Sequence, residues 1–298
     1  NFMIPELFSI GPLTVYSYGL MVAIAFLVSG SLLTKEFQRN TIDQNIASNT
    51  IILAIVFGII GARLFHVFEN FSLFLEDPLS MIFSSGGLTY YGGLITVIIA
   101  LYIYFNKKGL KFLKIADIAS PMLALGYGIG RIGCHLAGDG DYGLPTTLPW
   151  GTIYANGTVK PSNLLYEYML NNPTVAQQYN YFELSKIQVA QDKFGIITQF
   201  DLITKMHPTP IYEFLVALLI FWILWRVRKN SFKTGSIFYM YLILSGIARF
   251  LVEIIRLNPP LIFNLSEAQF ISLILIILGI GGLIKNKETL INFVKVNG

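Results

Sequence analysis

Four arginines of this 298-residue chain lie inside otherwise apolar stretches: Arg63, Arg131, Arg249 and Arg256. No lysine does. A charge placed in a bilayer costs roughly 2.5 to 3.5 kcal/mol on insertion scales, so it marks a functional site. Arginine grips phosphate through a planar fork of donors that stays protonated. The four together point to an anionic headgroup held at the edge of the lipid. Arg249 and Glu253 are four residues apart and share a helix face, so they can pair. In the functional reading Glu253 positions Arg249; in the bland reading the two are a structural ion pair. Glycine recurs at 126, 128, 130 and 133 around Arg131. Small residues let helices approach closely in lipid, and glycines beside an arginine also expose backbone N–H groups to an anion. Gly86-Gly87 and Gly92-Gly93 flank the mouth of another apolar stretch in a similar way. His207-Pro208-Thr209-Pro210 ends a loop and starts a helix, where proline is tolerated. The one cysteine, Cys134, sits at an apolar helix end, where packing is its ordinary role. Three histidines on separate segments lack metal-ligand spacing, so neither a metal nor another cofactor is expected.

These residues must be carried by membrane-spanning helices. The chain is 54% hydrophobic and 13% charged, with a mean hydropathy of +0.61. A soluble domain has about 25% charged residues. The net charge of +4 is small and spread over loops, which reads as topology and not as nucleic-acid binding. A single cysteine excludes an intrachain disulfide. The N-terminus lacks a basic region before its first apolar stretch, so no cleavable signal peptide is expected. Seven spans are predicted, near 14–34, 49–68, 88–105, 115–133, 209–228, 235–256 and 268–284. The expected architecture is all-α: residues 1–133 form helices one to four, 134–208 a polar head, and 209–298 helices five to seven with a tail. Lys35, Arg39, Lys107, Lys108, Lys111, Lys114, Arg226, Arg228, Lys229 and Lys233 gather in alternate loops, and Lys285, Lys287 and Lys295 in the tail. Loops 69–87 and 257–267 carry no lysine or arginine. The positive-inside rule then puts the N-terminus outside and the C-terminus inside. In that orientation Arg63, Arg131, Arg249 and Arg256, and all three histidines, fall in the outer half of a span or beyond it.

The residues resemble the prolipoprotein diacylglyceryl transferases over nearly the whole chain. The resemblance is carried by Tyr18-Gly19-Leu20-Met21, by Gly92-Gly93-Leu94-Ile95, and by Gly130-Arg131-Ile132-Gly133 continuing to Gly138 and Gly143. It continues with His207-Pro208 and Ile211-Tyr212-Glu213, then Arg249-Phe250 with Glu253 and Arg256. It implies a multi-pass protein of the bacterial inner membrane, with a periplasmic head and a site opening sideways to lipid. Its implied partners are phosphatidylglycerol and preprolipoprotein signal peptides. The diacylglyceryl group would move to the lipobox cysteine thiol, and glycerol 1-phosphate would leave. The chain departs from the family pattern in places. Tyr91 stands where a histidine is usual, Cys134 where an asparagine is, and Pro210 where a glutamine is. The acidic residue of the loop after the arginine falls at Asp139 or Asp141, and the head is longer than usual.

Such a displacement needs cations at the developing phosphate charge and removal of the thiol proton. The expected clamp is Arg131 and Arg249, with Glu253 orienting the latter. Tyr18 and Tyr91 would hydrogen-bond the headgroup. His135 is the expected base and His207 the second choice. Gly92, Gly93, Gly130, Gly138, Asp139 and Gly143 would line the substrate, with Arg63 and Arg256 in lesser roles. The rival readings are an inactive binding relative and a lipid transporter. A transporter would need a polar path to the inner leaflet, where Asp117 is the only acidic residue near the start of span four.

Overall fold

A computed structural model describes residues 3–11, 13–83, 89–170, 172–258, 261, 263 and 265–286. Gly86-Gly87, Lys287 and Lys295 lie outside the described residues. In chain order the elements begin with strands β1 (Glu6–Ile10) and β2 (Leu13–Tyr16), then helices α1 (Ser17–Arg39) and α2 (Gln44–Glu69). Next come α3 (Phe71–Glu76), α4 (Pro78–Phe83), α5 (Tyr90–Lys107) and α6 (Phe112–Ala137). The polar segment holds α7 (Pro161–Leu170), α8 (Pro173–Gln178), α9 (Tyr181–Leu184), β3 (Gln188–Asp192), β4 (Gly195–Thr198) and α10 (Gln199–Ile203). Last are α11 (Thr209–Val227), α12 (Ser236–Glu253) and α13 (Glu267–Lys285).

Among the described residues six helices are long and apolar enough to cross a membrane: α1, α2, α6, α11, α12 and α13. α5 coincides with the third expected span and is apolar through its middle. Its ends, Tyr90-Tyr91-Gly92-Gly93 and Asn106-Lys107, dilute it. The chain is thus a mainly helical, multi-pass membrane protein. Two details differ from expectation. The first span was read from residue 14, yet Leu13–Tyr16 is extended and pairs antiparallel with β1. Thr14, Val15 and Tyr16 favour strand, and Gly11 turns the chain with φ +60°. The helix begins only at Ser17, whose N–H donates to the Pro5 carbonyl at 2.9 Å. The sixth span was read through 256, but α12 ends at Glu253, and Arg256 instead forms a β-bridge with Gly143. Asn258 precedes a proline in sequence, which disfavours helix there.

The chain divides into two compact units, Asn1–Ser29 with Ser120–Gly298, and Gly30–Ala119. In the smaller unit α2 and α5 pack backbone to backbone. A Cβ on Gly93 would lie 2.9 Å from the Gly58 carbonyl oxygen, and one on Gly92 would strike Phe65 and the Gly61 carbonyl. Arg63 in this unit donates to the Met81 carbonyl at 3.0 Å. Thr89, just before α5, donates to the Glu69 carboxylate at 2.7 Å and so joins the end of α2 to the start of α5.

In the larger unit the polar segment has its own core of Tyr142, Tyr154, Leu165, Met169, Tyr181, Phe200 and Met206. Two buried charges tie it together. The Lys160 ammonium donates to the Gly157 carbonyl at 3.0 Å and to Asp192 at 2.6 Å, pinning the β3–β4 hairpin. The fully buried Asp201 carboxylate accepts from the N–H and hydroxyl of Ser162, at 2.7 and 2.8 Å, and of Thr198, at 2.8 and 2.7 Å. Asp201→Ala strands four buried donors. It should destabilise this segment by about 3 kcal/mol, seen as faster proteolytic nicking between 138 and 208 in the solubilised protein. An unchanged nicking rate would show that Asp201 does not hold the segment.

Candidate functional site

The larger unit brings three helices and two connecting segments to one place. α6 supplies Arg131 near its C-terminal end, and the loop after it supplies Asp139 and Asp141. α11 supplies Glu213 from its first turns, and α12 supplies Arg249 and Glu253 one helical turn apart. The extended segment beyond α12 supplies Arg256. Glu213 is the hub. Its Oε1 accepts from Arg249 Nη1 at 2.7 Å and from the Tyr127 hydroxyl. Its Oε2 lies 3.4 Å from Arg131 Nε and 3.6 Å from Arg256 Nη1. The Arg131 guanidinium also sits over the Tyr127 ring, 4.8 Å from its centroid. Asp141 is a second bridge: one oxygen pairs with Arg131 Nη1 and the other with Arg256 Nη2. Arg249 Nη2 reaches Glu253 at 3.1 Å, the i,i+4 pair. The other Glu253 oxygen accepts from Asn258 and, at 2.9 Å, from the hydroxyl of Ser266, the N-cap of α13.

Three arginines therefore meet three carboxylates, and the formal charges cancel. The fit is looser at its centre. Arg256 Nε and Nη1, Glu213 Oε2 and Glu253 Oε2 are buried without a hydrogen-bond partner among the described residues. Arg256 Nε faces Glu253 at 3.8 Å, an ion pair just beyond hydrogen-bond reach.

Gly138 (φ +58°) and Gly140 (φ +90°) set the loop that carries the two aspartates. Burial, reinforced by the neighbouring Asp141 charge, raises the Asp139 carboxyl above its ordinary value. Burial pushes Asp141 the same way, but Arg131 and then Arg256 outweigh it and hold that carboxyl at about 2. Cys134 Sγ and one oxygen each of Asp139 and Asp141 lie within 4.8 Å of one another, a set that resembles a metal cluster. Both Asp141 oxygens are already engaged by arginines, so the donors suit those cations and not a further metal ion.

Of the residues singled out in the sequence, Arg131, Arg249, Arg256 and Glu253 are in this one network. Tyr18 packs on the same helix end: a Cβ on Gly133 would lie 3.2 Å from the Tyr18 Cα. Gly143 backs the site, its N–H donating to the His207 carbonyl at 2.8 Å. Gly130 differs from the packing glycines, because a Cβ there would meet nothing within 4 Å. His135 Nδ1 is 2.9 Å from the Tyr154 hydroxyl, turned into the core of the polar segment. His207 Nδ1 is 3.2 Å from the Tyr212 hydroxyl, which accepts from the Trp150 indole at 2.8 Å; burial lowers the pKa of His207. Arg63, Tyr91, Gly92 and Gly93 belong to the smaller unit. Tyr127 was not singled out in the sequence; Glu213 was named only among the residues that carry the resemblance, and Asp141 only as the alternative to Asp139. For Glu213 the available signal was an acid in the first turns of an apolar helix, which demands a buried partner.

The sequence model of the family described as prolipoprotein diacylglyceryl transferase matches residues 5–285 of this chain. A Clostridium tetani protein named phosphatidylglycerol–prolipoprotein diacylglyceryl transferase is 32% identical over 280 residues, 93% of this chain and 96% of that protein. A Finegoldia magna protein of the same name is 31% identical over 286 residues, 95% of this chain and 96% of its own length. A third, from Vibrio cholerae, is 31% identical over 289 residues, with 93% and 89% covered.

Proposed function

Because this chain belongs to the prolipoprotein diacylglyceryl transferase family, we propose that Arg131, Arg249 and Arg256 clamp the phosphate of phosphatidylglycerol while its diacylglyceryl group passes to a lipobox cysteine. The chain is a membrane transferase, and its second substrate is a preprolipoprotein. The observation that carries this reading is the meeting of three guanidinium groups around the buried Glu213 carboxylate. In the reaction the substrate thiolate attacks C3 of the diacylglyceryl unit, the carbon that carries the phosphate ester. The C3–O bond breaks with its electron pair going to oxygen, and glycerol 1-phosphate leaves. No acid is required at that oxygen if its new charge is met by fixed cations in a dry site, which is the arginines' role. Glu213 and Glu253 hold the guanidinium planes. Tyr18 hydrogen-bonds the headgroup. Gly130 is the side of α6 against which the lipid rests, and Gly138 and Gly143 hold the loop beside it.

The reading is tested with the purified full chain in phosphatidylglycerol vesicles and a lipobox peptide. Thioether-linked diacylglyceryl peptide and released glycerol phosphate, in equal amounts, are the expected products. A peptide left unmodified would favour the inactive relative that the Tyr91 and Cys134 departures bring to mind. In the cell the chain spans the inner membrane seven times, with α5 as the third span, the N-terminus and residues 134–208 outside, and the C-terminus in the cytoplasm. A reporter fused within 150–200 should read periplasmic and one fused after Lys229 cytoplasmic. The opposite readouts would overturn the orientation.

A further inference from the structure

Asp141 is unlike the other two carboxylates of the network. Its two oxygens are held by two different arginines, Arg131 and Arg256. Two non-bridging phosphate oxygens would adopt the same arrangement between two guanidinium groups. Its side chain is 25% exposed, whereas those of Glu213 and Glu253 are 3% and 1% exposed. Its backbone is anchored, because its carbonyl accepts from the Thr209 hydroxyl and Gly143 is bonded to His207. Rotation of the side chain is therefore enough to move the carboxylate, with no rearrangement of the loop. The groups facing it are Arg131 and Cys134 from α6, Asp139 from its own loop, and Arg256 from beyond α12, with the Tyr18 and Tyr154 hydroxyls also within electrostatic reach.

We propose that the Asp141 carboxylate holds the place of the lipid phosphate in the resting protein, and that the incoming phosphate turns it out to become the proton acceptor for the substrate thiol. This rests on the arginine clamp described above and adds to it an exchange of one anion for another. Such an exchange leaves Arg131 and Arg256 paired with an anion throughout, and it places the extra negative charge on the displaced carboxylate. It also times the chemistry. While Arg131 and Arg256 hold Asp141, its carboxyl stays at about 2 and is a poor base. Once displaced it loses both cations, yet stays near Asp139 and gains a phosphate as neighbour. Burial and like charge then raise its proton affinity toward that of a thiol, near 8.5 in water. The thiol proton passes to Asp141 as the S–C3 bond forms and the C3–O bond breaks. That proton goes on to the released phosphate monoester, and Asp141 returns to the arginines as the product departs. The two histidines are less available for this task, since each ring is engaged by a tyrosine, His135 by Tyr154 and His207 by Tyr212.

The test separates binding from turnover. The full chain and its Asp141→Asn, Asp141→Glu and His135→Ala variants are assayed in vesicles of phosphatidylglycerol diluted in phosphatidylcholine, with a lipobox peptide. Binding of short-chain phosphatidylglycerol is measured by calorimetry in detergent. Asp141→Asn removes the competing anion, so the lipid should bind about tenfold more tightly. Its kcat should fall about a hundredfold or more. Weaker lipid binding in Asp141→Asn would mean that the aspartate only braces the arginines and would overturn the proposal. Tighter binding with normal kcat would also overturn it, by removing the proton acceptor. So would a His135→Ala protein that loses turnover while Asp141→Asn keeps it. If Asp141→Asn does not insert, Asp141→Glu decides: kcat within about tenfold of the parent supports the proposal, and a hundredfold loss overturns it. Absence of transfer by the unmodified protein would instead sink the enzymatic reading itself.

Discussion

Arg131→Lys and Arg249→Lys should each lower transfer by about two to three orders of magnitude, although charge is conserved at both positions. A fixed donor lost from the developing oxyanion is worth about 2.7 to 4 kcal/mol. An ammonium does not replace it here, because each guanidinium serves two carboxylates at once. Arg131 uses Nη1 for Asp141 and Nε for Glu213; Arg249 uses Nη1 for Glu213 and Nη2 for Glu253. Lysine is a point charge on a flexible stem and spans only one such gap. The loss should appear mainly in kcat, since the developing charge is greatest in the transition state. Vesicle assays at saturating phosphatidylglycerol check it, with insertion and thermal stability measured in parallel. A folded variant that turns over normally would remove that arginine from the mechanism.

Glu213→Ala has the larger effect on the protein itself. It leaves Arg131, Arg249 and Arg256 facing one another with one anion fewer, and it strands the Tyr127 hydroxyl. Removing one partner of a buried ion pair costs about 3 to 5 kcal/mol. We expect a marked fall in melting temperature in detergent and transfer below detection. Glu213→Gln keeps the shape and one acceptor, so it should be the more stable of the two while still losing transfer, because the arginines repel without the charge. If Glu213→Ala melted with the parent protein, Glu213 would not be the hub that its contacts describe.

Both predictions rest on residues that the sequence exposed unequally. Arg131, Arg249 and Arg256 were legible because a cation in an apolar stretch is costly, and Glu253 because it lies one turn from Arg249. The helical spans were legible because their apolar runs are long. Glu213 and Asp141 were visible as acids, but their shared role was not. It depends on α6, α11 and the segment beyond α12 meeting, and no local spacing records that. The orientation of His135 was hidden for a related reason. Helical periodicity puts it one turn beyond Arg131, yet its ring is held by Tyr154, nineteen residues on in a loop without periodicity. Gly92 and Gly93 show the opposite limit. A glycine pair reads equally as a ligand cradle or a helix contact, and here the α2 backbone lies where their side chains would be. The β1–β2 hairpin was masked by its own composition, since Leu13–Tyr16 continues the apolar run of the span it precedes.

The cancellation of charge at the site bears on how substrate arrives. Three cations interleaved with three paired anions largely cancel, so the network offers little long-range steering. A soluble anion diffusing past feels almost nothing until it touches the network, and must then part with its hydration shell to enter. A phosphodiester already anchored in the leaflet has its headgroup delivered by lateral diffusion and loses far less freedom on docking. If the network is the phosphate clamp proposed above, its near-neutrality selects for membrane-borne phosphate over the phosphate of the surrounding water by route of approach, without a contact devoted to telling them apart.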